Sequence, residues 1–173
     1  MQKHSAVWAA VGVLALGTSL GALTPMATGS SGQDGAMKLR ATLTASQIPG
    51  GQEKKVTGGG GVFAATLVGN KLSWKLTFHG LSGEALGAHI HIAPPGKSHW
   101  EPAIGLCGFL ADAGQPASCT SGVHHVATIH RGFDGTSAAQ VRRALLTGGA
   151  YVNIHTTDNY NWGEIRGQIE VVK

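Results

Sequence analysis

The segment Phe63-Ala64-Ala65-Thr66-Leu67-Val68-Gly69-Asn70-Lys71-Leu72-Ser73-Trp74-Lys75-Leu76-Thr77-Phe78 holds two alternating runs around a turn. Phe63, Ala65 and Leu67 alternate with smaller or polar residues. Leu72, Trp74, Leu76 and Phe78 alternate with Ser73, Lys75 and Thr77. Side chains two apart on a strand share a face, so each run predicts a strand with one buried face. Gly69-Asn70 supplies the two-residue turn that joins antiparallel strands. A β-hairpin is expected.

The same period extends outward. Leu39, Ala41 and Leu43 alternate with Lys38, Arg40, Thr42 and Thr44, which predicts a first strand from near Met37. A polar, glycine-rich connection follows from Pro49 to Gly61. Further short strands are expected at 88–92, 123–130 and 150–156. In a last strand Ile165, Ile169 and Val171 face one way, and Glu164, Arg166, Gln168 and Glu170 the other. One helix interrupts the pattern: Thr136 or Ser137 caps it, 138–146 carries good helix formers, and Gly148-Gly149 stops it. Short strands separated by Gly, Pro and Asn turns predict an all-β fold, an antiparallel β-sandwich or barrel with one short connecting helix. The Gly-rich run 58–61 lacks the Lys-Ser/Thr and following helix of a phosphate loop.

At the amino end, Lys3 precedes an apolar run from Ala6 to Leu23, and Thr24-Pro25-Met26-Ala27-Thr28 follows. A positive start, an apolar middle and a small-residue exit describe a secretory leader, residues 1–27, cleaved between Ala22 and Thr28. Glycines at 12, 17 and 21 and the lack of a basic stop-transfer cluster disfavour a retained anchor. Residues 28–36 have no large apolar side chain and read as a flexible tether, leaving 37–173 as one β domain. No later segment is apolar enough to span a membrane. Loss of Lys3 lowers the formal net charge of +4 by one. The remaining basic residues are scattered, unlike the clustered stripe of a nucleic-acid binder. Cys107 and Cys119, the only two cysteines, are expected to form a disulfide in an oxidising compartment, secreted or periplasmic. Closing a loop of that size contributes about 3 kcal/mol in the chain-entropy model.

The histidines carry the chemistry. In Gly87-Ala88-His89-Ile90-His91-Ile92 the two imidazoles share a strand face, with Cα atoms roughly 6.5 Å apart, while Ile90 and Ile92 take the core face. Tyr151-Val152-Asn153-Ile154-His155 repeats this parity, with Val152 and Ile154 inward. If the two strands are neighbours, His155 joins His89 and His91 in a three-nitrogen metal site. Imidazole ligands suit copper or zinc, and copper binds such a set most strongly. A hydrogen-bonded polar cluster is the competing reading. His99, His124, His125 and His130 have no second ligand at clear spacing and are expected at the surface.

Glu164 and Arg166 share a strand face and are expected to form a mostly exposed pair worth under about 1 kcal/mol. Residues 37–173 hold no Gly-x-Ser-x-Gly elbow, and no carboxylate pair for glycoside chemistry stands out among nine acids. Asp158 and Glu164 flank the His155 segment across a loop, so no positioned acid or base accompanies the imidazoles. Efficient turnover is not expected. Trp100, Tyr160 and Trp162 lie in loop-like segments where aromatics anchor protein partners.

Ala88-His89-Ile90-His91, then Gly149-Ala150-Tyr151-Val152-Asn153-Ile154-His155-Thr156 and Gly163-Glu164-Ile165-Arg166-Gly167-Gln168-Ile169, resemble the CHRD domain, found in chordin and in many bacterial exported proteins. The resemblance spans roughly Met37 to Val172. The chain departs from it at 46–53, where Ser-Gln-Ile-Pro-Gly-Gly-Gln-Glu stands in place of an acid-Val-Pro-Pro element. The resemblance implies an immunoglobulin-like or related β-sandwich, and an extracellular protein as the alternative partner to a metal ion. A more distant likeness is to copper,zinc superoxide dismutase, which also uses a strand-borne His-x-His. It implies that His89, His91 and His155 take three copper positions, although this chain has no zinc loop of spaced His and Asp. Such a fold-level analogy does not establish dismutase activity.

Overall fold

The computed structural model describes residues 35–51, 58–133 and 135–173. The expected leader, and the tether as far as residue 34, lie outside the described residues.

The hairpin forms as its alternation predicts. Strands β2 (Gly60–Val68) and β3 (Lys71–His79) pair antiparallel, from Gly60 opposite His79 to Val68 opposite Lys71. Gly69 turns the corner with φ of 55°, a left-handed conformation that glycine adopts without a Cβ clash. The inward residues Phe63, Leu67, Leu72, Trp74 and Leu76 are buried, with the Phe63 and Trp74 rings stacked. On the other side of β2 lies β1 (Met37–Thr44), whose Leu39, Ala41 and Leu43 point into the same core.

The remaining strands are β4 (Ala85–Ile92), β5 (Ile104–Gly108), β6 (His124–Thr128), β7 (Ala150–Thr156), β8 (Ile165–Gln168) and β9 (Glu170–Val171). Their order is β5-β4-β7-β8-β1-β2-β3-β6, with β9 also on β1. One apolar cluster draws side chains from strands along this whole path, from Leu106 on β5 to Ala127 on β6. The antiparallel sheet therefore curls into a nearly closed barrel around a single core, the all-β fold expected from the alternation. Helix α1 (Ala138–Leu146) has the expected limits. Ser137 caps it, and a reciprocal bond from the Ser137 backbone to the Gln140 side chain completes a capping box.

Three details differ from the expectations. β5 was not anticipated: Ile-Gly-Leu-Cys-Gly is short and buried up to its last residue, so it lacks the two-residue period of a half-exposed strand. The expected strand 123–130 is confined to β6. The last strand breaks at Ile169, where the chain leaves β7 for β1: Gln168 pairs with Tyr151, while Glu170 pairs with Arg40.

The segment between β5 and β6 crosses the gap between the two edge strands. Cys107 on β5 is bonded to Cys119. Gln115 accepts from the Trp74 indole and donates to the Val126 carbonyl, and Gly122 N donates to Leu76 O. Replacing both cysteines, Cys107→Ser with Cys119→Ser, is expected to lower unfolding free energy by about 3 kcal/mol. Denaturant unfolding under oxidising conditions measures it, and a loss below about 0.5 kcal/mol would refute the closure role.

Candidate metal centre

The register of three adjacent strands assembles the site. His89 lies opposite Asn153, His91 opposite Tyr151 and Gly87 opposite His155 on β4 and β7. Across the next pairing, Asn153 lies opposite Arg166 and Tyr151 opposite Gln168. Directly opposed residues share a face, so His89, His91, Tyr151, Asn153, His155, Arg166 and Gln168 all project from one side. Ala88, Ile90, Val152, Ile154 and Ile165 fill the core side.

That outer face is covered. His89 is 1% exposed, His91 3% and His155 6%. Phe109 lies against His89 and His155, with ring centroids 4.8 and 5.3 Å away, and Tyr160 stacks on Phe109. Gly87 makes room for this lid, because a Cβ there would come within 2.6 Å of the Phe109 ring. On the other flank Tyr151 stacks on His91 and bonds the His99 backbone through its hydroxyl.

The three histidines converge, with one nitrogen from each lying within 4.8 Å of the others. Each ring also has one nitrogen against a backbone carbonyl: His89 Nε2 on Phe109 O at 2.6 Å, His91 Nδ1 on Glu101 O at 3.2 Å, and His155 Nδ1 on Tyr160 O at 2.6 Å. A carbonyl oxygen only accepts, so these nitrogens carry the protons. In the neutral rings the lone pairs are then on His89 Nδ1, His91 Nε2 and His155 Nε2. The carbonyl contacts thus fix both tautomer and ring orientation, as they do for metal-bound histidines. His91 Nε2 is buried with no hydrogen-bond partner among the described residues, and His155 Nε2 has only a long 3.4 Å contact from Asn153 Nδ2.

Glu164 and Arg166 overturn the expectation of an exposed pair. They are 1% and 3% exposed, and they do not bond each other. Glu164 instead accepts from Ser82 N at 2.6 Å, Ser82 Oγ at 2.7 Å and Thr156 Oγ1 at 2.8 Å. Thr156 Oγ1 in turn accepts from Asn159 N. These bonds pin the turn 157–163, which delivers Tyr160 O to His155 and Trp162 O to Asn153. Gly163 closes the turn with φ of 79°, and a Cβ there would collide with the Asn153 side chain. Arg166 stacks on Tyr151, its guanidinium carbon 3.3 Å from the ring centroid, and donates to Ser98 Oγ at 3.1 Å.

Two cavities meet at the cluster. One of about 210 Å³ is lined by His91, His155, Trp100, Tyr151 and Arg166 among others. The second, about 120 Å³, is lined by His89, His91, His155, Phe109 and Leu110. Trp100, Tyr160 and Trp162 are 69%, 54% and 40% exposed at their rim. His99 and His124 are exposed as expected, whereas half-buried His125 packs on Trp74. His130 pairs at 2.8 Å with buried Asp112. Sequence reasoning did not add Arg166 to the site, although Arg166 and Gln168 already shared a parity that could join that of Tyr151, Asn153 and His155. Phe109 and the orienting carbonyls gave no such signal, because a backbone oxygen belongs to every residue type.

A family model described as CHRD domain matches residues 39–169. No curated protein and no solved structure gives a significant match to the chain.

Burial pushes all three imidazoles towards neutrality. It is the largest cause at His91, lowered to about 3, with the neighbouring His89 and His155 adding to the effect. At His155, lowered to about 4, burial and then His89 act the same way. His89 is also lowered by burial, against the opposing pull of the Phe109 carbonyl and Asp112. Below the ordinary value of 6.5 the unfolded chain binds protons that the folded one refuses. Stability is therefore complete above that pH and is lost as pH falls from 6.5 towards 4 and 3. For the metal-free protein, melting temperature should be flat above pH 7 and fall through this window. A His91→Gln/His155→Gln variant should show a shallower fall, and an identical pH profile would contradict the assignment.

Proposed function

The chain belongs to the CHRD domain family, and from that footing we propose that it is an exported domain binding a transition-metal ion, copper before zinc, through His89, His91 and His155. The single observation that carries the reading is the convergence of the three rings, with one nitrogen of each within 4.8 Å of the others. Each ring donates its N–H to a backbone carbonyl, and the buried Nε2 of His91 has no partner among the described residues. Burying a polar atom unpaired costs free energy, and a metal ion would satisfy it. The donor set also fits the chemistry: neutral imidazoles bind copper and zinc without first losing a proton. Nitrogens held at about 2.0–2.1 Å from one ion lie at most about 4.2 Å apart, so a pair at the 4.8 Å limit must close by at least about 0.6 Å. Export is supported by the leader pattern of residues 1–27 and by the disulfide, which persists in oxidising compartments.

A second reading, a metal-free interaction module, is favoured by the rim of Trp100, Tyr160 and Trp162, since exposed aromatics of this kind anchor protein partners. Calorimetric titration with copper(II) and zinc separates the two. Outer groups that merely orient a ligand cost 10–100-fold in metal affinity, so His89→Ala and His155→Ala, which remove ligands, should each cost more than about a hundredfold. Unchanged affinity in both variants would overturn the metal reading. Absence of metal binding, with capture of a partner lost on Trp162→Ala, would favour the module.

A further inference from the structure

We propose that the larger cavity beside the histidines is a binding site for a small carboxylate, held by Arg166. This goes beyond the metal reading and stands without it. Arg166 is 3% exposed, and a buried cation without a counter-charge carries an uncompensated desolvation penalty. Among the described residues no carboxylate pairs with it. Glu164, two residues earlier on the same face, is committed to Ser82 and Thr156.

The neutral partners of Arg166 leave most of its fork unused. A guanidinium has five N–H donors. One goes to Ser98 Oγ, another makes a long 3.5 Å contact with Gln168 Oε1, and the plane rests on Tyr151. The side chain lines the cavity of about 210 Å³, and neither Asp nor Glu contributes to that lining. Trp100 and Trp162 stand at its rim, and Ser98, Asn153 and Asn161 add uncharged polar groups to the lining. A planar two-oxygen anion matches the arginine fork, which binds carboxylates bidentately. The volume falls below the 300–1,000 Å³ usual for drug-sized ligands, so the ligand is a carboxylate of a few heavy atoms. The cavity also touches His91 and His155, which places the anion and a bound metal in one chamber.

Formate is the probe. Titrate it into the metal-free protein at fixed ionic strength, with chloride as the balancing salt, and follow the backbone amide resonances of residues 98–100 and 166. Saturable shifts are expected. Arg166→Lys, which keeps the charge but loses the fork, should bind at least about tenfold more weakly, and Arg166→Gln should show no saturation. Non-saturating shifts in the unaltered protein would overturn the proposal, as would equal affinity in the folded Lys variant. The Lys variant keeps the test decisive if the Gln variant fails to fold. A parallel copper titration keeps the two readings apart. His89→Ala, which removes a metal ligand that does not line this cavity, should lose copper and retain formate. Saturable, Arg166-dependent formate binding without copper binding would sink the metal reading alone.

Discussion

The outer face of β4, β7 and β8 is polar yet lies out of water, and that constraint governs the architecture around it. Buried polar groups need partners, because an unmet donor or acceptor costs its full desolvation. Glu164 anchors the cover that supplies part of them. Its carboxylate gathers Ser82 from the turn after β3 and Thr156 at the end of β7. Through Thr156 and Asn159 it also fixes the turn that covers His155. The turn lies over the sheet because its polar groups are satisfied there, and the aromatic side chains it carries then exclude water from the histidines.

Under that cover the imidazoles behave differently from surface histidines. Low polarity and mutual proximity keep them neutral, and backbone carbonyls select which nitrogen bears the proton. Satisfying one side of each ring leaves the other side as a free lone pair. A plain hydrogen-bonded polar cluster would pair these nitrogens with protein donors. The bare Nε2 of His91 and the long Asn153 contact to His155 do not fit that description. Arg166 occupies the same face on different terms, held by aromatic stacking and a hydroxyl instead of a carboxylate.

The barrel supports the site by remaining open along one line. β5 and β6 end the strand order without pairing to each other, and unpaired strand edges invite other strands. The loop that crosses this gap carries the disulfide and the Gln115 bridge. Its first residue after β5 is Phe109, the ring that packs on His89 and His155. Closure of the barrel and roofing of the histidines are therefore tasks of one segment.

Local patterns along the chain were enough to determine the hairpin, the parity of His89, His91 and His155, the limits of α1 and the pairing of the two cysteines. Each is a local matter: a two-residue period, a cap three residues from its partner, or a unique pair of thiols. The sequence also showed that Glu164 and Arg166 share a face, but it could not show that the face is buried. Burial there depends on the turns 93–103 and 157–163 folding over β4, β7 and β8, and those turns have no periodicity to read. The orienting carbonyls of Glu101, Phe109 and Tyr160 escape notice for the same reason. A backbone oxygen is common to all residues, so only the path of the chain in space decides which imidazole it meets.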